Sequence, residues 1–202
     1  MVEQQLRGRD VTDERVLAAM ERVPREVFVS EHLRDRAYDD AALPIGGGQT
    51  ISQPYMVAKI CEAVALHGDE HVLDVGAGSG YQAAVLAELA AEVDTIERLP
   101  ELAELARANL ATAGYERVRV HLGDGTRGLP ERAPFDAIAV AAAAPRLPQT
   151  LYEQLEPRGR LVVPVGRHGI QRLEVIVRSP EGPAVIRSVP CRFVPLVGDE
   201  GF

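Results

Sequence analysis

The 202-residue chain predicts an α/β fold: an open, doubly wound sheet, mostly parallel, closed by a C-terminal antiparallel hairpin and preceded by an N-terminal helical extension. Three observations predict it. Between about residues 71 and 165, short apolar runs alternate with helical patterns, the mark of a parallel sheet covered on both faces. Right-handed crossovers then give an open, doubly wound arrangement. Two later apolar runs, 172–178 and 184–189, have only Ser179-Pro180-Glu181-Gly182-Pro183 between them and read as a hairpin. Residues 1–66 carry helix and turn signals instead.

In order along the chain, Thr12 is a candidate cap for a helix over 13–22, whose Val16, Leu17, Met20 and Val23 keep a helical spacing before Pro24 closes it. A short helix follows over 31–38, then a glycine-rich loop, 44–50. Pro54 opens a helix reaching about residue 66, since proline suits the first helical turn. The sheet is expected from strands 72–75, 93–96, 118–122, 135–141 and 161–165. The helices between them fall at 81–91, from 100 to about 114, and at 148–155. The tail 192–197 is extended and apolar, placed to fold over the open end of the sheet. The expected organisation is a single domain, 1–202: an extension (1–66) with a loop at 44–54, an α/β core (67–170), and antiparallel strands with a closing tail (171–202).

Bulk properties exclude several classes. A net charge of −8 opposes sequence-independent binding of nucleic acid, which needs a basic surface. No apolar run approaches a membrane span, and the first residues lack a signal-peptide pattern. Cys61 and Cys191 stand apart without metal-ligand spacing and read as reduced thiols of a cytoplasmic protein. No metal is expected, and a monomer is. His32, His67, His71, His121 and His168 are scattered and read as structural or surface residues.

The chemistry sits at the strand ends, where a doubly wound sheet binds its ligand. After the first strand the chain reads Asp74-Val75-Gly76-Ala77-Gly78-Ser79-Gly80, glycines that let the main chain approach a ligand closely. Glu97 ends the second strand, placed to accept from a ribose diol. Asp124 and Gly125 follow the third, where a carboxylate can receive an adenine amino group. A nicotinamide dinucleotide would want a small residue where Tyr81 stands. The spacing suits a ligand without a pyrophosphate, namely S-adenosylmethionine, released as S-adenosylhomocysteine. Cofactor contacts are therefore assigned to Asp74, Gly76, Ala77, Gly78, Gly80, Glu97, Asp124 and Gly125.

Five segments resemble the protein-L-isoaspartate O-methyltransferases over nearly the whole chain. They are Ala37-Tyr38-Asp39-Asp40, the run from Leu43 through Pro44-Ile45-Gly46-Gly47-Gly48-Gln49-Thr50-Ile51-Ser52 to Tyr55, Gly78-Ser79-Gly80-Tyr81-Gln82-Ala83-Ala84-Val85-Leu86-Ala87, Thr95-Ile96-Glu97-Arg98, and Arg192-Phe193-Val194-Pro195-Leu196-Val197-Gly198. The loop ending at Ser52 discriminates most, because other methyltransferases share the turn and not that loop. The resemblance implies a Rossmann-like class I methyltransferase that esterifies the free α-carboxylate of L-isoaspartyl residues in damaged proteins and peptides. Ser52 reads by itself as a helix cap. The resemblance makes it the catalytic hydroxyl that holds the substrate carboxylate, with Thr50 and Ile51 beside it. Val194, Pro195 and Leu196 read as a core strand, or, through the resemblance, as a segment pairing with an extended peptide. The competing readings are a methyltransferase acting on a small molecule or RNA, a nucleotide-dependent oxidoreductase, and a catalytically silent binding module.

Overall fold

The structure, a computed structural model, describes residues 1–167 and 170–202; His168 lies outside the described residues. Its frame is a seven-stranded sheet built from β3 (His71–Val75), β4 (Glu92–Glu97), β5 (Arg119–Leu122), β6 (Phe135–Val140), β7 (Leu155–Arg167), β8 (Ile170–Ser179) and β9 (Gly182–Cys191). The spatial order is β5-β4-β3-β6-β7-β8-β9. Strands β3 to β7 pair in parallel, and β8 and β9 add antiparallel to β7. The chain order reverses between β3 and β4 on one side and β6 on the other, which opens a crevice beyond the ends of β3 and β6.

Helices α3 (Tyr81–Ala87), α4 (Pro100–Thr112) and α5 (Gln149–Glu153) connect the strands, while α1 (Glu14–Arg22) and α2 (Pro54–Val64) belong to the extension. The extension shares its core with the sheet: one apolar cluster runs from Leu6, Leu17 and Met20 through Val57 and Ile60 to Val72, Ala137 and Leu173. Among the described residues, no helix is long and apolar enough to cross a membrane.

Several local expectations are corrected. Asp13, not Thr12, caps α1: its carboxylate accepts the Arg15 and Val16 amides, and the Thr12 amide and hydroxyl turn to Glu62. Helix α3 stops at Ala87 instead of 91, because the Ala91 and Glu92 amides are drawn to the Glu70 carbonyl, just before β3. Strand β7 begins at Leu155, six residues early, and crosses an irregularity where Arg158 holds φ +70°. The glycine-rich loop is itself a small hairpin, β1 (Leu43–Gly46) with β2 (Gln49–Ile51). Gly47 and Gly48 take positive φ, +57° and +71°, as a tight hairpin turn demands.

Candidate active site

The glycine turn hangs from the end of β4: the Gly76 and Ala77 amides donate to the Ile96 carbonyl at 2.9 and 3.2 Å. Glu97 fastens it from the other side. Its Oε2 accepts the Gly78 amide at 2.9 Å, and its Oε1 accepts the Arg98 and Leu99 amides at 2.9 and 3.0 Å. The β1–β2 hairpin forms a roof. A Cβ on Gly78 would lie 3.3 Å from Ile45 Cδ1, and one on Gly47 3.1 Å from Leu99 Cδ1. Hairpin, turn and β4 end therefore enclose a cavity of about 840 Å3, counting the solvent at its mouth.

Gly76, Ala77, Gly78, Glu97 and Gly125 line this cavity, as do Thr50, Ile51, Ser52, Val194, Pro195 and Leu196. Three residues of the sequence assignment do not. Asp74 is fully buried behind the turn, accepting from Gln82 Nε2 at 2.8 Å and Thr95 Oγ1 at 2.7 Å, and burial pushes its carboxyl up to about 7. Gly80 serves packing: at φ +91°, its Cβ would lie 3.0 Å from Leu110 Cγ and 3.3 Å from the Ala106 carbonyl. Asp124 turns toward the C-terminal tail. Its Oδ1 accepts from Thr126 and its Oδ2 from the Asp199 amide at 2.9 Å. Partial burial raises its carboxyl, and these bonds outweigh burial and hold it below the usual range.

Two cavity residues have roles that the sequence assignment does not give them. Gln82 is buried, and its amide oxygen has no hydrogen-bond partner among the described residues. Tyr81, noticed only for its bulk, is buried against Phe28, ring centroids 5.5 Å apart. Neither role has a sequence signal, since both depend on packing between the extension and the turn.

A second cavity, of about 1020 Å3 on the same terms, opens on the outer side of the hairpin and is lined by Asp40, Gln53, Met56, Arg192 and Phe193 among others. Thr50, Ser52, Ala141 and Val194 line both cavities and form the wall between them. The cap of α2 is the Gln53 position, with no side-chain capping bond, so Ser52 does not serve as that cap. The tail is held by Ala143, whose amide donates to the Val194 carbonyl and whose carbonyl accepts the Leu196 amide, both at 2.8 Å. One edge of the tail is therefore occupied. Among the described residues, no main-chain bond is recorded on the other, at the Pro195 carbonyl and the Val197 amide.

At the opposite end of the sheet, His71, Glu92 and Asp94 come close enough to hold a cation, a juxtaposition the sequence spacing did not reveal. Their carboxylates already face positive charge. Asp94 Oδ2 accepts from His71 at 2.7 Å and from Arg132 at 3.3 Å, and Glu92 pairs with Arg119 and Arg132. His121 also bonds Asp94, so both histidines are structural here.

A doubly wound sheet with a glycine turn, an acidic residue ending the neighbouring strand, and a buried tyrosine where a dinucleotide site wants a small residue defines a class I S-adenosylmethionine-dependent methyltransferase. The family model described as Protein-L-isoaspartate(D-aspartate) O-methyltransferase matches residues 1–201, and the chain belongs to that family. Protein-L-isoaspartate O-methyltransferase 2 of Marinobacter nauticus is 57% identical over all of this chain and 93% of its own length. The Methanoculleus marisnigri relative is 52% identical over all of this chain and 92% of its own. A solved protein-L-isoaspartate O-methyltransferase superposes with a TM-score of 0.88 at 29% identity, over all of this chain and 67% of that one. A Plasmodium falciparum structure described with the same activity, solved with S-adenosyl-L-homocysteine, gives 0.83 at 26% identity over 97% and 96% of the two chains.

Proposed function

We infer that the chain transfers a methyl group from S-adenosylmethionine to the free α-carboxylate of L-isoaspartyl residues in damaged proteins and peptides. The observation that carries the reading is the shared wall: Thr50 and Ser52 stand between a cavity floored by the glycine turn and a groove open to solvent. A donor on one side and an acceptor on the other meet at those hydroxyls.

The residues present fit the cofactor. Gly76 and Gly78 keep the floor free of side chains, and the unpartnered Gln82 oxygen suits an ammonium group. Glu97 has three of its roughly four acceptor directions filled by amides, which leaves Oε2 the oxygen with a direction free for a ribose hydroxyl. Gly125 extends the wall beyond Ile96. Asp74 supports the turn through Gln82 and Thr95 and does not touch the ligand, and Gly80 sets the packing of α3 on α4. Asp124 serves the adenine end indirectly, by holding the tail at Asp199.

S-adenosylmethionine supplies a methyl group on a sulfonium that leaves as a neutral thioether. The protein's part is alignment, because a carboxylate is already ionised at neutral pH and needs no general base. Ser52 donates its hydroxyl to the acceptor carboxylate, with Thr50 and the Ile51 main chain beside it. The free edge of Val194-Pro195-Leu196 pairs with the extended substrate backbone, which accommodates many flanking sequences. The ester product then closes on the following amide nitrogen with loss of methanol, giving a succinimide that can reopen as aspartate. The same reading takes the chain as one cytoplasmic, monomeric methyltransferase domain working without a metal. A small-molecule acceptor is not favoured, since the relatives named above share the activity over the full chain.

Mass spectrometry of an isoaspartyl peptide incubated with enzyme and cofactor tests this. The expected record is a gain of one methyl followed by loss of methanol. Methylation that stays on the peptide as a stable ether, thioether or amine would place the acceptor elsewhere.

A further inference from the structure

Arg25 is fully buried, yet it forms no ion pair with any described residue. It follows Pro24 in the short helical turn Arg25–Phe28 of the extension, far in sequence from the cofactor turn. Its Nε donates to the Ala37 carbonyl at 2.7 Å, and one terminal nitrogen donates to the Ser52 carbonyl at 2.8 Å. Its guanidinium carbon lies 4.6 Å from the centre of the Tyr81 ring, at the first residue of α3. The other terminal nitrogen is buried with no hydrogen-bond partner among the described residues. It lines neither cavity, so it works through the residues it holds.

We propose that Arg25 is a positioning residue and the standing counter-charge of the acceptor carboxylate: it fixes the Ser52 main chain from behind, and its guanidinium has no anion until the isoaspartyl carboxylate arrives. The proposal rests on the acceptor inferred above.

Burying a cation without a partner is strongly unfavourable, and an apolar residue of similar volume usually serves packing better. Guanidinium stays protonated even here, where burial pulls its pKa below the ordinary value. What the position gains is a fixed positive potential on the main chain of the residue that lines both cavities. Coulomb attraction through a poorly screened interior favours an anion at that wall. The charge acts on the carboxylate as it binds and ceases to act on the neutral ester. Its effect therefore falls chiefly on substrate binding and product discrimination, and it does not accelerate the transfer step, in which the carboxylate charge is being lost. The contact with Tyr81 keeps the same charge in register with the cofactor turn.

The test replaces the charge and keeps the hydrogen bonds. Ligation at the native Cys61 joins a synthetic segment 1–60 carrying citrulline at position 25 to residues 61–202, preserving donors to Ala37 and Ser52. Alongside it run the unmodified protein, Arg25→Lys and Arg25→Gln, each assayed for kcat and KM on an isoaspartyl peptide and for calorimetric binding of S-adenosylhomocysteine. The expected result is a KM raised about tenfold or more by citrulline, with kcat within about threefold and S-adenosylhomocysteine affinity unchanged. Arg25→Lys should recover most of the loss, and Arg25→Gln none. Unchanged KM in the citrulline protein overturns the proposal while leaving the proposed reaction intact. If that protein fails to bind S-adenosylhomocysteine, the lysine and glutamine variants decide: KM lower for lysine supports the charge, and equal values overturn it. If the unmodified protein does not methylate the peptide, the reading of the acceptor falls first, and this proposal with it.

Discussion

The Glu97 carboxylate accepts the Gly78 amide at 2.9 Å, so the residue that ends β4 also holds the middle of the glycine turn. With Glu97 as the proposed ribose ligand, cofactor recognition and the shape of the turn would rest on one side chain.

Replacing Glu97 with glutamine keeps its size and removes the charge that three amides share. Binding of S-adenosylhomocysteine should weaken by about tenfold to a hundredfold, the scale of a charged hydrogen bond. Calorimetry measures it directly. Unaltered affinity would show that the ribose end is held elsewhere.

Ser52→Ala separates the two cavities. Loss of the hydroxyl should lower kcat/KM for an isoaspartyl peptide roughly tenfold, with S-adenosylhomocysteine binding close to that of the parent. A collapse of cofactor binding would reassign Ser52 to the inner cavity.

Gly80→Ala tests the assignment of that glycine to packing. A Cβ at φ +91° presses on Leu110 and the Ala106 carbonyl. The expected cost is about 2 kcal/mol, seen as a melting temperature lower by roughly 4–8 °C. The folded variant should bind S-adenosylhomocysteine as the parent does, and a selective loss of binding would return Gly80 to the ligand.

Asp74 makes stability depend on pH. Burial lifts its carboxyl to about 7, against about 4 in an unfolded chain. Below about pH 4 both states are protonated and the contribution is fully present; as pH rises through 7 the unfolded chain ionises first and stability is lost. Asp74→Asn should flatten this decline between pH 4 and 8, because asparagine has no carboxyl to ionise in either state. Thermal melts across that range check it; an unchanged slope would place the titration elsewhere.

The order of strands and helices was legible because periodicity and proline placement are local. So were Gly76, Gly78 and Glu97, whose spacing follows from a strand, a turn and a strand end. Asp124 shows where that logic stops: it sits at the expected strand end, but the Asp199 amide, 75 residues on, draws its carboxylate to the tail. The β1–β2 hairpin has no strand signal in the sequence because glycines carry no strand propensity, and its pairing depends on the roof contacts of Ile45 and Gly47. Arg25 had no local signal at all, since its meaning lies in Ser52 and Tyr81.

The most direct measurement of the central claim is methyl transfer from labelled S-adenosylmethionine to two peptides of one sequence, one with an isoaspartyl and one with an aspartyl linkage. The account predicts label on the isoaspartyl peptide, released as methanol, and none above background on its twin. Equal labelling of both, or labelling of neither, would contradict it.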